Sequence, residues 1–261
     1  MHDYMFQFIT GLTIFTIGLV IGSFSNVCIY RLPRDESLIF PGSHCPKCNK
    51  PIKYYDNIPL ISYLILKGKC RYCQEKISGQ YPLVEFLTGF IYLVLFLSYG
   101  LQLRTFVYML FCSALIIIIF IDLKEKIIPD VISLPFIALG FLLSFVPNNL
   151  SPINSLLGIL VGGGSLFLIA VVGSYLFKKE AMGGGDIKLA AMIGAFLGWQ
   201  LTLLSLFLGF LLGSNVGIII LIKNKGNKDQ SDSIPFGPFI ALGTVIALLF
   251  GKAIIDWYLM I

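Results

Sequence analysis

Met182-Gly183-Gly184-Gly185-Asp186-Ile187-Lys188 stands between two long apolar runs. Glycine has no Cβ, so three in a row let a second backbone approach closely. A carboxylate at the edge of an apolar segment is costly unless it is paired or performs chemistry. Read as the rim of a membrane helix, this heptad sets the fold class. Its acid, Asp186, reads as one half of a two-aspartate site, and the rest of the chain must supply the other half.

Composition supports the membrane reading. Of 261 residues, 57% are hydrophobic and 13% charged, whereas a soluble domain carries roughly 25% charged residues. The apolar runs predict an all-α polytopic membrane protein with about eight transmembrane helices. They lie near 6–28, 82–98, 104–121, 131–147, 155–177, 187–199, 201–222 and 236–258. The boundary at Gly198-Trp199-Gln200 is the weakest, and the Gly226–Ser233 stretch reads as a polar loop. The uncharged run Met5–Tyr30 is long enough to span, and no Lys or Arg precedes it, so it reads as a helix rather than a cleavable signal. Ser23 and Asn26, three apart, share a helix face. They either bond to a neighbouring helix or line a site.

Residues 31–80 differ in character. They are rich in Pro, Gly, Lys and Cys and contain no run that could span. Cys45-Pro-Lys-Cys48 and Cys70-Arg-Tyr-Cys73 form two Cys-x-x-Cys pairs. Four thiolates so spaced suit a closed, tetrahedral, structural zinc site. A loop this short has little core of its own, so metal would hold it together. Two disulfides or four free thiols are the alternatives. Cys28 and Cys112 sit in apolar runs and read as buried small residues. The expected division is a first helix over 1–30, a four-cysteine domain over 31–80 and a membrane core of seven helices over 81–261. Glu85 is expected in the first turn of the second span, either complementing the helix dipole or serving a site.

Charge distribution gives the orientation. Seventeen of the nineteen Lys and Arg residues fall in four loops that share one side of an eight-span chain. These are the 31–80 loop; the 122–130 loop with Lys124 and Lys126; the glycine loop with Lys178, Lys179 and Lys188; and the 223–234 loop with Lys223, Lys225 and Lys228. By the positive-inside rule these loops are cytoplasmic and both termini are outside. The asymmetry accounts for the net charge of +5, so no nucleic-acid partner is needed. It also places the cysteines in a reducing compartment, where a metal is favoured over disulfides.

Asp122 closes the third span and comes out on the same side as Asp186. Two carboxylates sharing one proton can activate a water and protonate a leaving amine. The blander readings are a charge marking a helix end for Asp122 and an N-cap for Asp186. An acid at a helix C-terminus opposes the dipole, and no capping box supports the second, since Leu189 stands where Glu or Gln would. Other protease classes lack parts. The two histidines are His2 and His44, which leaves no histidine for a membrane Ser–His pair, and His-Glu-x-x-His is absent.

The chain resembles the type IV prepilin peptidases, the prepilin leader peptidase/N-methyltransferases. The resemblance rests on Gly22-Ser-Phe-Ser-Asn-Val27, Tyr30-Arg-Leu-Pro33, Cys45-Pro-Lys-Cys48, Tyr55-Asp-Asn-Ile-Pro-Leu-Ile-Ser-Tyr63 and Gly68-Lys-Cys-Arg-Tyr-Cys73. It continues through Tyr81-Pro-Leu-Val-Glu85, Asp122 with Pro129-Asp130, and the opening heptad. The motifs run in the family's order from about residue 20 to 190, and the last quarter adds only hydropathy. Tyr54 departs from the family, where many relatives carry Trp.

The resemblance implies a Gly-x-Gly-Asp aspartic peptidase of the bacterial inner membrane. It implies cleavage of prepilins and pseudopilins after a glycine at the cytoplasmic face, with Asp122 and Asp186 as the catalytic pair. It further implies S-adenosylmethionine-dependent methylation of the new N-terminus, associated with the four-cysteine loop. Gly183, Gly184, Gly185, Lys188, Asp130 and Glu85 are expected to support the site. Expected partners are the prepilin and pseudopilin substrates, membrane lipid, and pilus or secretion assembly proteins. A peptidase for other membrane helices that does not methylate, or a non-enzymatic zinc-loop scaffold for pilus assembly, are the competing expectations.

Overall fold

The computed structural model describes residues 2–147, 149–178, 182–223 and 235–260. The expected Gly226–Ser233 loop and the cations Lys179, Lys225 and Lys228 lie outside the described residues. The helices are α1 (His2–Arg31), α2 (Ile61–Ile65), α3 (Gln80–Tyr99), α4 (Leu103–Glu125), α5 (Asp130–Leu143), α6 (Pro152–Phe177), α7 (Gly184–Lys223) and α8 (Gly237–Leu259). Short 3₁₀ turns lie at Leu32–Arg34 and Tyr54–Asn57. Among the described residues there is no strand, only two isolated bridges, His44 with Pro51 and Lys69 with Lys76. Six helices are long and apolar enough to cross a membrane: all except α2 and the fourteen-residue α5. Large apolar side chains such as Leu160, Phe167, Leu168 and Phe207 are exposed on α6 and α7. Lipid is the solvent that suits them, and the chain is an integral membrane protein.

The chain forms two compact units, up to Ile117 and from Ile118 onward. In the first, α1 and α3 run antiparallel with almost no gap. A Cβ on Gly18 would lie 2.6 Å from Gly89 Cα, and one on Gly22 would lie 2.7 Å from Glu85 Cα. Small residues permit this backbone approach where apolar side chains gain nothing by leaving lipid. α3 begins at Gln80, ahead of the expected start. Glu85 therefore sits in the second turn, not the first, and the dipole reading loses its geometry.

In the second unit the long α7 is broken at Gly198, whose φ of 75° and ψ of 173° are not helical. The chain reverses there. Gly158 of α6 abuts both Gly194 and Gly198, and Gly162 abuts both Ala190 and Thr202. The residues before and after Gly198 thus pass the same stretch of α6 in opposite directions. Only glycine takes this φ without strain. α8 then runs antiparallel to the second half of α7, with Gly209 against Ile240 and Gly243 against Ser205. α5 lies along the first half, where Gly140 meets Ala195 and Phe196. These contacts gather the C-terminus of α4 and the N-termini of α7 and α8 at one end of the unit.

α5 stops short of the expected 147. Ser144 Oγ turns back onto the Phe141 carbonyl, and Asn149 Nδ2 donates to Leu143 O at 2.8 Å. Both polar side chains satisfy carbonyls that a longer helix would have used.

Candidate active site and metal centre

Asp122 lies in the last turns of α4, since that helix runs past it to Glu125. The residue is 5% exposed. Its own helix presents carbonyl oxygens at that end, an unfavourable neighbour for an acid. The compensation comes from α8: the Gly237 amide donates to Asp122 Oδ2 at 3.0 Å. A helix N-terminus with a free amide favours negative charge. A Cβ at 237 would stand 2.6 Å from Oδ2 and 3.2 Å from Ile128 Cδ1. Gly237 was not singled out from sequence. The available signal was Phe236-Gly237-Pro238, a glycine placed just where proline opens a helix.

Asp186 is in the first turn of α7, which starts at Gly184. It is therefore not the N-cap. Its carboxylate turns back toward Gly183, where a Cβ would lie 3.6 Å from Oδ2. Asp186 lies within electrostatic reach of Asp122. Ile128 lies between the N-termini of α7 and α8, because its side chain packs on both Gly185 and Gly237. The three glycines are not equivalent. A Cβ on Gly185 would lie 2.9 Å from Ile128 Cβ, whereas nothing lies within 4 Å of a Cβ on Gly184.

Lys188, whose role the sequence leaves open, pairs with Asp130. Its Nζ donates to both carboxylate oxygens, at 2.6 and 2.7 Å. The pair ties the first turn of α5 to the start of α7, two residues beyond Asp186.

The cysteines converge in the first unit. The four sulfurs lie within 4.8 Å of one another, and Cys45 Sγ is 3.8 Å from Cys73 Sγ. A tetrahedron with Zn–S bonds of about 2.3 Å has S···S edges of about 3.8 Å, so the donor set fits a four-thiolate metal. Each pair sits in the same knuckle. Cys45 N bonds Lys50 O, Asn49 N bonds Cys45 O and Ile52 N bonds Ser43 O. Each bond recurs twenty-five residues later: Cys70 N to Glu75 O, Gln74 N to Cys70 O and Ile77 N to Gly68 O. Asn49 and Gln74 share a positive φ as well. The sequence reading missed this repeat because the side chains between the cysteines differ. The Cys73 and Tyr72 amides pull the Cys70 thiol down to about 6, which readies it as a thiolate ligand. His44 turns its Nδ1 to Gly42 O and adds no ligand.

Glu85 belongs to the first unit, whereas Asp122 and Asp186 belong to the second. It is 7% exposed and accepts the Leu60 amide at 2.8 Å. Cys28 and Cys112 are buried, as expected from their surroundings.

Helical membrane units, an acid pair at one helix-end cluster and a four-thiolate knuckle pair define a polytopic membrane protein of the aspartic-peptidase kind. Residues 16–99 match the bacterial peptidase A24 N-terminal domain, and 109–218 match the type IV leader peptidase family. The chain is 38% identical over 272 residues to a prepilin leader peptidase/N-methyltransferase of Aeromonas salmonicida, covering 94% of this chain and 92% of that protein. It is 34% identical to the protein of that name from Pseudomonas aeruginosa, covering 93% and 91%, and 34% identical to the one from Neisseria gonorrhoeae, covering 93% and 92%. No solved structure matches. The chain belongs to the type IV leader peptidase family.

Proposed function

We propose that this chain cleaves the leader from prepilins and pseudopilins and then methylates the exposed N-terminal amine with S-adenosylmethionine. The observation carrying the first activity is Asp122, buried and fixed by Gly237, within reach of Asp186. The pair divides the work: one carboxylate takes a proton from water and the other protonates the departing amine. Gly184, with open space above it, is where the substrate backbone passes. Asp130 and Lys188 hold the α5 and α7 ends that present Asp186. The second activity follows from the relatives' name and from the four-cysteine loop they resemble.

Counting the two halves of α7 separately and α5 as a short span gives eight crossings. The four cationic loops then lie on the cytoplasmic side of the inner membrane, with both termini outside. Under this reading residues 1–30 are the first helix, 31–80 the zinc-holding loop and 81–261 the peptidase core. Cys45, Cys48, Cys70 and Cys73 hold a structural Zn²⁺. Partners are the substrates, lipid and pilus or secretion assembly proteins.

The test is prepilin cleavage in detergent by wild type, Asp122→Asn and Asp186→Asn, with the product N-terminus weighed by mass spectrometry. Loss of turnover in both variants at normal membrane levels is expected. Near-normal turnover in either one refutes the pair.

A further inference from the structure

A second polar cluster lies in the first unit, outside the aspartate pair. α1 turns Ser23 and Asn26 toward α3. Asn26 Nδ2 donates to Tyr81 O at 3.0 Å and to Gly22 O at 3.3 Å. Its Oδ1 has no partner, although the residue is 2% exposed. A buried acceptor left unpaired forfeits the hydrogen bond that water would otherwise give it. Glu85, on the facing helix, takes hydrogen bonds from the Leu60 amide and the Ser23 hydroxyl.

The Leu60 amide is held there at a cost. Leu60 has φ 58°, rare for a non-glycine residue. The loop around it is pinned by Ser62, whose Oγ accepts Ile58 N at 3.0 Å and donates to Tyr55 O at 2.9 Å. Backbone strain of this kind persists only where the surroundings impose it. Among the described residues no cation meets Glu85: the groups meeting it are Ser23 and the Leu60 amide, with Tyr81 one turn earlier on its own helix. At the end of α1, Arg31 is committed to Ser37 O and Pro41 O, and Arg34, which acts on Tyr81, donates to Tyr30 O and stacks on the Tyr30 ring. The cluster therefore offers a carboxylate and a free amide oxygen, both covered, beside a half-buried hydroxyl. That set lacks a donor carrying positive charge.

We propose that Ser23, Asn26 and Glu85 form the seat of an α-ammonium group, the amine of the processed substrate awaiting methylation. This rests on the methylation reading above. Methyl transfer needs the free amine. Glu85 takes one proton from R–NH₃⁺, giving R–NH₂ and the carboxylic acid. The nitrogen lone pair then bonds the methyl carbon of the sulfonium donor as the carbon–sulfur bond breaks. The products are R–NH₂⁺–CH₃ and a neutral thioether, with the proton still on Glu85 until solvent removes it.

Two measurements on the full chain test this. In the first, an apolar helical peptide with a free α-amine and its N-acetylated twin are titrated onto the protein at pH 6, without methyl donor. Wild type is expected to bind the free amine about tenfold more tightly, and Glu85→Gln to lose the preference. Equal binding by wild type, or a preference that survives in Glu85→Gln, overturns the seat. In the second, methylation of pre-cleaved peptide is followed from pH 6 to 9. Without a base, the rate follows the free-amine fraction, which below a pKa of about 7.7 falls roughly tenfold per pH unit. Glu85→Gln is then expected to trail wild type by roughly 50-fold at pH 6 and to recover by pH 9. Misfolding would not be repaired by alkali. Glu85→Asp keeps a carboxylate and is expected to retain the wild-type profile at a lower rate. If Glu85→Gln weakens donor binding but shows the wild-type profile at saturating donor, the carboxylate holds the donor's ammonium and the proposal falls. A wild type that cleaves without methylating defeats the methylation reading, while the peptide titration still decides the seat.

Discussion

The amide of Gly237 and Oδ2 of Asp122 are joined across 115 residues by a 3.0 Å hydrogen bond. Asp122 ends one helix and Gly237 opens another, so the acid meets the favourable pole of α8 at the unfavourable pole of α4. Gly237→Ala would drive a methyl to 2.6 Å from Oδ2, and the carboxylate must move. A displacement near 1 Å at a reacting group can cost about 100-fold in rate. Prepilin cleavage by Gly237→Ala is expected to fall to that extent, with metal content unchanged. Turnover within a few-fold of wild type would show that Asp122 needs no such anchor.

The glycine triplet separates into a packing residue and an open one. Gly185→Ala forces a methyl to 2.9 Å from Ile128 Cβ. Overpacking of this kind costs about 1–3 kcal/mol, and lower thermal stability with lower kcat is expected. Gly184→Ala meets nothing within 4 Å, and alanine suits a helix better than glycine. Its stability should hold or rise. If substrate backbone passes there, KM rises about five- to 150-fold for the same 1–3 kcal/mol. An unchanged KM in Gly184→Ala would remove the substrate from that position.

Much of this architecture is legible in the chain itself. Apolar runs locate the spans because each helix must satisfy its backbone alone in lipid. The cysteine spacing announces the four-thiolate cluster because all four residues fall within a short loop. Asp186 is conspicuous because charge beside apolar runs is rare. What sequence hides is set by packing between distant elements. Gly237 reaches Asp122 only because α8 returns antiparallel to α7, and its glycine looks like any helix opener. The reversal at Gly198 falls where the sequence placed its weakest boundary, Gly198-Trp199-Gln200, because hydropathy hardly dips there and the turn itself rests on one residue's dihedrals. Leu60 finds Glu85 across 25 residues through a strained loop, and hydrophobic periodicity carries no trace of that.

Lys188 stands two residues from Asp186, close enough to suggest catalysis, but its charge is already engaged by Asp130. Both partners are substantially exposed, with side-chain accessibilities of 38% and 55%. Exposed pairs contribute about 0–1 kcal/mol. Lys188→Met is therefore expected to keep cleavage within about fivefold of wild type, and the double reversal Asp130→Lys with Lys188→Asp to restore it. Abolished cleavage in a stably folded Lys188→Met would place the ammonium in the chemistry instead.

The four-cysteine loop carries its own ionic clasp between Asp56 and Arg71. Arg71 Nε donates to Oδ2 at 2.8 Å, and a second guanidinium nitrogen donates to Oδ1 at 2.5 Å. This two-pronged bond from Arg71 holds the Asp56 carboxyl below its ordinary value. A carboxyl lowered by folding adds stability above its unfolded pKa of about 3.9, and loses it as pH falls through the lower folded value. Asp56→Asn removes the clasp at every pH. Resistance of the loop to a protease active across the range should therefore be lower in Asp56→Asn than in wild type from pH 8 to 5. The gap should close as the solution is taken below about pH 4. Acid also competes with metal for the thiolates, but it does so equally in both proteins, so the difference isolates Asp56. A gap that persists unchanged well below that pH would show that Asp56 acts through packing and not through its charge.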